Sequence, residues 1–242
     1  MSASEPTGWQ LSNVAEAIFQ PRYRPSDRRA KVAIVLVAIA VAAGIWEILA
    51  VAAGFGLLAR LDSVTDQEVD SFNSARTLAS RASLLTYVAS AIASFAWLSR
   101  VVDNVPALGG GQPSVTPRAA ILWWFAPISN LFKPYQIVAD VWRRLASIPA
   151  EFGVTLLLVW WGFFVGSSAI SFVAYVRPPS EDIAGIQTSF VINILSDTAF
   201  VIAGLLWVWI ILGIERRSRV RALKPFAASP PDAPASSSTP PA

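Results

Sequence analysis

Four long apolar stretches constrain the fold of this chain more than any other feature. They are Val32–Leu58, Ala82–Val102, Phe152–Val176 and Phe190–Ile214. Each reaches or exceeds the ~20 residues with which a helix crosses ~30 Å of hydrocarbon. Only helices and closed barrels satisfy their backbone in lipid, and these stretches lack the strict alternation of barrel strands. The sequence therefore predicts an all-α polytopic membrane protein with four transmembrane helices.

Composition agrees with this class and excludes several chemistries. Hydrophobic residues make up 54% of the chain and charged residues 14%, whereas soluble domains carry about a quarter charged residues. The chain contains no histidine and no cysteine. It therefore lacks the usual ligands of zinc, haem and iron–sulfur clusters and the bases of Ser-His-Asp and Cys-His catalysis. We expect no metal, no cofactor, no catalytic residue and no enzymatic activity.

The flanks of the apolar stretches divide the chain into three parts. Residues 1–31 form a polar, Arg-rich lead, residues 32–221 the membrane domain, and residues 222–242 a Pro/Ala/Ser-rich tail that we expect to be disordered. Between the first two spans, residues 59–81 are predicted to be a loop. The first apolar stretch is too long for the core of a signal peptide, so we interpret it as a retained anchor.

The distribution of positive charge predicts the topology. With four crossings and both termini cytoplasmic, fifteen of the 19 Lys and Arg residues face the cytoplasm and four face outward, as the positive-inside rule requires. A fifth crossing by Ile121–Pro134 would move the basic C-terminal tail, with Arg143 and Arg144, to the outside. We therefore predict that this aromatic stretch does not cross the membrane.

Residues 117–147 instead predict a helix–break–helix inserted between spans 2 and 3. Thr116 suits a helix cap, Pro127 interrupts the helix, and Asn130 is a candidate cap for a second helix with Pro134 in its first turn. Apolar and polar residues then alternate with helical period up to residue 145, as in an amphipathic helix. The segment is predicted to be either re-entrant or interfacial, and a simple aromatic membrane anchor is the alternative.

The same segment resembles an uncharacterised bacterial membrane family, one of the domain-of-unknown-function families. The string "WWFAPISNLFKPYQIVADVW" is similar to its W-W-F-x-P-[IV]-x-N-L-x-x-P signature, and "FAWLSRVVDN" is similar to a segment that ends its second helix. The matching positions are Trp97, Arg100, Asn104, Trp123, Trp124, Phe125, Pro127, Asn130, Leu131, Pro134, Asp140 and Trp142. The resemblance runs over roughly residues 32–221. It implies a four-helix domain in the bacterial cell membrane, and no reaction.

Arg100 carries the first specific hypothesis about this motif. It lies at the same end of span 2 as the motif segment, so we expect it to hold carbonyls freed around Pro127, or to pair with Asp140. On this hypothesis, replacing Arg100 with Leu lowers stability. A ligand-binding role is the alternative.

Polar residues inside the spans form a second candidate site. Glu47 lies in span 1, and Asn193 and Asp197 lie in span 4; charges at such depth usually face a bundle interior or a cavity. Arg60 and Arg81 are candidates to reach Asp197. We expect the serines of span 2 and the glycines of Gly162-x-x-x-Gly166 to serve close helix packing.

Two functions fit these features. The leading one is a scaffold or accessory subunit whose cytoplasmic face docks a protein partner or anionic lipid, although the basic clusters can equally serve only to set topology. The alternative is a small proton- or cation-coupled carrier or channel subunit that uses Glu47 and Asp197. The bilayer itself is the expected surrounding, and we expect no nucleic-acid partner.

Overall fold

The structure, a computed structural model, describes residues 22–146, 151–176 and 182–223. Six helices account for most of this part: α1 (Asp27–Leu58), α2 (Asp66–Asn104), α3 (Ala119–Leu122), α4 (Lys133–Arg144), α5 (Glu151–Val176) and α6 (Ile183–Leu223). No strand occurs in these three ranges. Most of the N-terminal lead and nearly all of the predicted disordered tail lie outside the described residues.

Four of these helices confirm the predicted spans. They are α1, α2, the Gly153–Val176 part of α5, and α6, and each is long and apolar enough to cross a membrane. The four spans pack side by side in the order α2, α1, α6, α5: α1 packs on α2 and on α6, and α6 packs on α5. The chain is therefore an all-α polytopic membrane protein, as predicted.

The bundle has two chemically different ends. The hairpin end contains the α1–α2 connection, with a short 3₁₀ turn at Leu61–Ser63. The motif end contains residues 22–26, the end of α2, the helix–break–helix and the last turns of α6. Ser26 donates a hydrogen bond to Glu215 there, so the two described chain ends lie on the same side, as an even number of crossings requires.

Two of the long helices extend well beyond their apolar stretches. α2 begins at Asp66 and has 39 residues, which is ~58 Å at 1.5 Å per residue and almost twice the hydrocarbon thickness. The prediction of a loop over residues 59–81 is therefore wrong for most of its length. A capping box starts this helix: Glu68 N–H donates to Thr65 Oγ1, and Thr65 N–H donates to the Glu68 carboxylate.

Close helix approach uses other glycines than the pair expected. A Cβ on Gly204 of α6 would lie 2.7 Å from Val41 of α1, whereas one on Gly162 or Gly166 would meet nothing within 4 Å. The expectation that Gly162 and Gly166 serve close packing is therefore wrong within the described chain. In α2, Ser90 and Ser94 are buried as expected.

Candidate functional site

The helix–break–helix between α2 and α5 is the most irregular part of the described chain. The Thr116 hydroxyl accepts from Ala119 N–H at 3.3 Å, which confirms its role as a cap. α3 has only four residues and continues as tight turns to Phe125, where the N–H donates to Leu122 O at 3.0 Å. α4 begins at Lys133 with Pro134 in its first turn, and Phe132 rather than Asn130 precedes it. The predicted capping by Asn130 is therefore wrong.

The break itself is a strained γ-turn centred on Ile128. Its φ is 63°, a positive value for a β-branched residue, and Ser129 N–H donates to Pro127 O across the turn at 2.6 Å. Turns of this hand are rare and strained, and bulky side chains seldom adopt positive φ. Strain of this kind persists only where the surrounding structure holds it, and it concentrates at functional positions.

The break is inserted between α2 and α5 rather than laid across their ends. Trp124 contacts Phe95 of α2, with ring centroids 5.4 Å apart, and Phe164 of α5 at 5.8 Å. Phe95 lies nine residues before the end of α2, or about 14 Å along its axis. The segment thus packs beside apolar parts of two spans, which favours the re-entrant alternative over the interfacial one.

A tryptophan of α5 satisfies part of the irregular backbone. Trp161 donates from Nε1 to the carbonyl of Leu131 at 2.9 Å. Asn130, which was expected to satisfy freed carbonyls, has its Oδ1 buried without a partner in the described part of the chain. The indole Nε1 of Trp124 is likewise buried and unpartnered there.

Trp142 locks α4 against two spans. Its ring is buried, and a Cβ placed on Gly153 of α5 would collide with it, while one on Gly213 of α6 would lie 2.7 Å from Trp142 Cζ3. The guanidinium of Arg217 stacks over the ring at 3.5 Å from its centroid. Gly153, Gly213 and Arg217 therefore surround the Trp142 ring and define its binding position, called its seat.

Arginines of the motif end bind backbone carbonyls. Arg144 donates to Asp140 at 2.8 Å and to Gly110 O at 3.1 Å. Arg221 donates to Leu108 O at 3.1 Å and to Ala146 O at 2.9 Å. Together with Arg217, these residues tie the ends of α4 and of the preceding loop to α6.

Asp140 is paired differently from the expectation. Besides Arg144, it accepts from the backbone N–H of Ser114 at 2.9 Å. Partial burial raises the pKa of Asp140, but the hydrogen bonds from Arg144 and Ser114 outweigh burial and hold that pKa below its ordinary value. Arg100, its expected partner, is half-buried and makes no hydrogen bond or ion pair with any described residue.

The buried carboxylate of Glu215 joins the predicted Trp97 to Ser26, the residue before α1. Glu215 Oε1 accepts from Trp97 Nε1 at 2.8 Å and from the Ser26 hydroxyl at 2.6 Å. All three residues are buried. Glu215 was missed because the predicted span ended at Ile214. The signal was present as a single acidic residue between an apolar stretch and a run of arginines.

Asn104 clasps the segment that leads into α1. Its Nδ2 donates to Arg24 O at 2.7 Å, and its Oδ1 accepts from Arg24 N–H at 3.1 Å. The side-chain amide of Asn104 thus pairs with both the N–H and the carbonyl of Arg24, as a neighbouring strand residue would. The residues just before α1 are thereby fixed to the end of α2.

The remaining motif residues lie on the outside of the segment. Lys133 Nζ lies 5.5 Å from the centroid of the half-buried Trp123 ring. Phe125, Pro127 and Leu131 are exposed. Their exposed side chains face the surroundings of the bundle, which in a membrane are lipid or another protein.

Glu47 and Asp197 both lie toward the hairpin end of their helices. Both are half-buried, and Asp197 lies within electrostatic range of Glu47 and of Arg76. Arg76 also lies over the Phe190 ring at 5.6 Å. The expected partners are wrong: Arg60 pairs with Glu68 at 2.7 Å, and Arg81 is exposed. Asn193 is half-buried one turn away.

Over the described ranges, no group of three or more His, Cys, Asp or Glu side chains is arranged to hold a metal ion. The Glu47–Asp197 pair therefore stands as two carboxylates with a nearby arginine.

These features define a polytopic helical membrane protein with a re-entrant segment between its second and third spans. The chain belongs to the family described as Domain of unknown function (DUF4328), whose model matches residues 60–216. No curated protein and no solved structure matches the chain. The match covers the re-entrant segment and the last three spans but begins after α1, whereas the resemblance was expected from Val32 onward.

Proposed function

We propose that this protein is a non-enzymatic scaffold or accessory subunit of the bacterial cell membrane, with its motif end in the cytoplasm as a docking face. The proposal rests on a difference among the cations of that end: some make internal contacts and others are exposed. Arg144, Arg217 and Arg221 are consumed by internal contacts. Other cations of the same end are exposed.

The exposed cations lack acidic partners. The salt bridges of the described residues are Arg60–Glu68 and Arg144–Asp140, so the exposed Arg28, Arg143, Arg216 and Arg219 have no carboxylate within 4 Å there. Exposed arginines without a carboxylate partner suit an acidic protein surface or anionic headgroups. The positive-inside rule supports a cytoplasmic location for this end.

The test is capture of partners from living cells. The full chain, tagged, is cross-linked in its native host and purified, and a variant with Arg28, Arg143, Arg216 and Arg219 changed to Gln is compared with it. We expect the variant to lose cross-linked proteins at unchanged abundance. The control is Arg81→Gln, an exposed arginine of the hairpin end. Equal capture by all three proteins would refute a docking role for these cations.

One observation favours a second candidate, a proton- or cation-coupled carrier or channel subunit. Glu47 and Arg76 both lie within electrostatic range of Asp197. Toward the motif end, however, the bundle is filled by the buried Trp97 and Trp207. In proteoliposomes, Glu47→Gln or Asp197→Asn would abolish ion flux if the carrier hypothesis holds. Absence of flux in the unmodified protein would eliminate it.

A further inference from the structure

The interior of the bundle holds a cavity of about 90 Å³ that neither the docking face nor the carboxylate pair uses. All four long helices line it, and Trp124 of the re-entrant segment completes the wall. Representative lining residues are Val41 of α1, Leu98 of α2, Trp160 of α5 and Ala203 of α6. It therefore lies among the four spans of the membrane domain.

The wall of this cavity is almost entirely hydrocarbon and aromatic. Its two serine hydroxyls are engaged: Ser90 donates to Tyr87 O at 2.8 Å, and Ser94 accepts from Trp207 Nε1 at 3.0 Å. A buried water needs two to four polar partners; besides the two engaged serines, the wall offers only Tyr87 and the unpartnered Trp124 Nε1. The wall thus favours an apolar occupant.

Trp124 separates this chamber from the surroundings between α2 and α5. Those two helices make few direct contacts with each other. Trp124 bridges them, with its ring 5.4 Å from Phe95 of α2 and 5.9 Å from Trp161 of α5. An aromatic side chain of the strained segment, rather than a helix–helix interface, therefore fills the space between these two helices.

The outside of that gap is apolar as well. Leu122, Phe125 and Ile128 of the segment are 66%, 69% and 77% exposed. Where lipid surrounds this face, these side chains meet acyl chains. Hydrocarbon lies directly outside a thin aromatic wall that has an apolar chamber behind it.

We propose that the cavity binds the methyl end of a lipid acyl chain, which enters from the bilayer between α2 and α5 beside Trp124. Size selects this occupant. At about 90 Å³ the chamber is smaller than the ~150 Å³ apolar cavity that holds one benzene and far below the ~300–1,000 Å³ of pockets for drug-sized ligands. A narrow, flexible chain end fits, and a ring system or a whole lipid does not.

The experiment uses the full chain in nanodiscs with photoreactive lipid. Phosphatidylglycerol bearing a diazirine near the methyl end of one acyl chain is the first probe, and the corresponding free fatty acid is the second. After irradiation, adducts are mapped by mass spectrometry. Expected adducts lie on Leu98, Ala203 and Trp207, which are shielded from the bundle exterior, as well as on the outward-facing Leu85. The probe that labels the interior identifies which lipid carries the chain.

Variants separate occupancy of the cavity from contact with the surface. Ala203→Leu fills the chamber and should cause a several-fold loss of interior adducts while Leu85 adducts persist. Ala91→Leu, also in the lining, carries the same test if Ala203→Leu fails to fold. The matched control is Ala42→Leu, at an exposed position of α1. It should change neither the interior adducts nor those on Leu85. Trp124→Ala should increase interior labelling. Interior residues free of adducts with both probes, or interior adducts unaffected by both filling variants, would overturn the proposal.

Discussion

At the residue scale, the motif end is held together by side chains that bond across long sequence separations. Glu215 accepts from Trp97 and Ser26, and Asn104 pairs with the backbone of Arg24. The bonds of Ser26 and Arg24 join the residues before α1 to α6 and to the end of α2, and the Trp97–Glu215 bond joins α2 to α6. A buried polar group is costly only when it loses its partner, so these residues are the positions where single substitutions should matter most.

Asn104, rather than Arg100, is expected to be the structural staple of this end. Asn104→Ala removes both hydrogen bonds to Arg24 and should lower the free energy of unfolding by about 1–3 kcal/mol. Arg100→Leu removes no hydrogen bond in the described structure and should change stability by no more than about 0.5 kcal/mol. Thermal unfolding in detergent measures both. A larger loss for Arg100→Leu than for Asn104→Ala would restore the original hypothesis.

Glu215→Ala should destabilise the protein because two buried hydrogen-bond donors lose their acceptor. Trp97 Nε1–H and the Ser26 hydroxyl would both be buried without an acceptor, at about 1–3 kcal/mol each. The melting temperature and the accessibility of the Arg24–Ser26 region to protease report the effect. The matched control is Asp103→Ala, an exposed carboxylate one residue before Asn104. Equal melting temperatures for both variants would show that the network contributes nothing.

Asp140 should make stability depend on pH in acid. Because hydrogen bonds from Arg144 and Ser114 lower its folded-state pKa, its contribution is present above the ordinary value of about 3.9 and disappears as pH falls through the folded value. The unmodified protein should therefore melt above Asp140→Asn at neutral pH, and the gap should close below about pH 4. A gap that does not vary with pH would contradict this assignment.

At the element scale, the sequence predicted the spans but not the ends of the helices. Hydropathy reports which residues are transferred into lipid, so Ala82–Val102 was found. It carries no information on how far a helix continues into water, so the start of α2 at Asp66 was missed. The cap Thr65 with Glu68 three residues later was the available signal. The prediction that Gly162 and Gly166 serve close packing was wrong for a related reason, because spacing alone does not show which face of a helix meets a neighbour.

Two glycine substitutions should have opposite effects. Alanine is a better helix former than glycine by about 1 kcal/mol, so Gly162→Ala, at a site open to the surroundings, should leave stability unchanged or slightly raised. Gly213→Ala forces a methyl against Trp142 and should cost about 1–3 kcal/mol. Thermal unfolding compares them. Equal stability of the two variants would show that Trp142 repacks freely and that its seat is not specific.

At the scale of the whole molecule, the two ends differ in what they expose. The motif end combines exposed arginines with a re-entrant segment held by internal hydrogen bonds. The hairpin end carries the extension of α2 and the Arg60–Glu68 pair. Charge counting predicted this polarity and the absence of a fifth crossing. It could not predict which arginines are engaged internally, because Arg144, Arg217 and Arg221 bind carbonyls of the loop after α2 and around the end of α4, which only tertiary packing brings within reach.

Because the chain has no cysteine, single cysteines can test the polarity directly. Ser74→Cys places a thiol on the exposed extension of α2 at the hairpin end, and Gln112→Cys places one on the exposed loop of the motif end. With four crossings and a cytoplasmic motif end, a membrane-impermeant maleimide should label Ser74→Cys in intact cells. It should label Gln112→Cys only after the membrane is opened. The reverse pattern would keep four spans but place the docking face outside the cell. Only α2 separates the two positions, so they must lie on opposite sides of the membrane. Labelling of both sites from outside would therefore contradict the four-span topology.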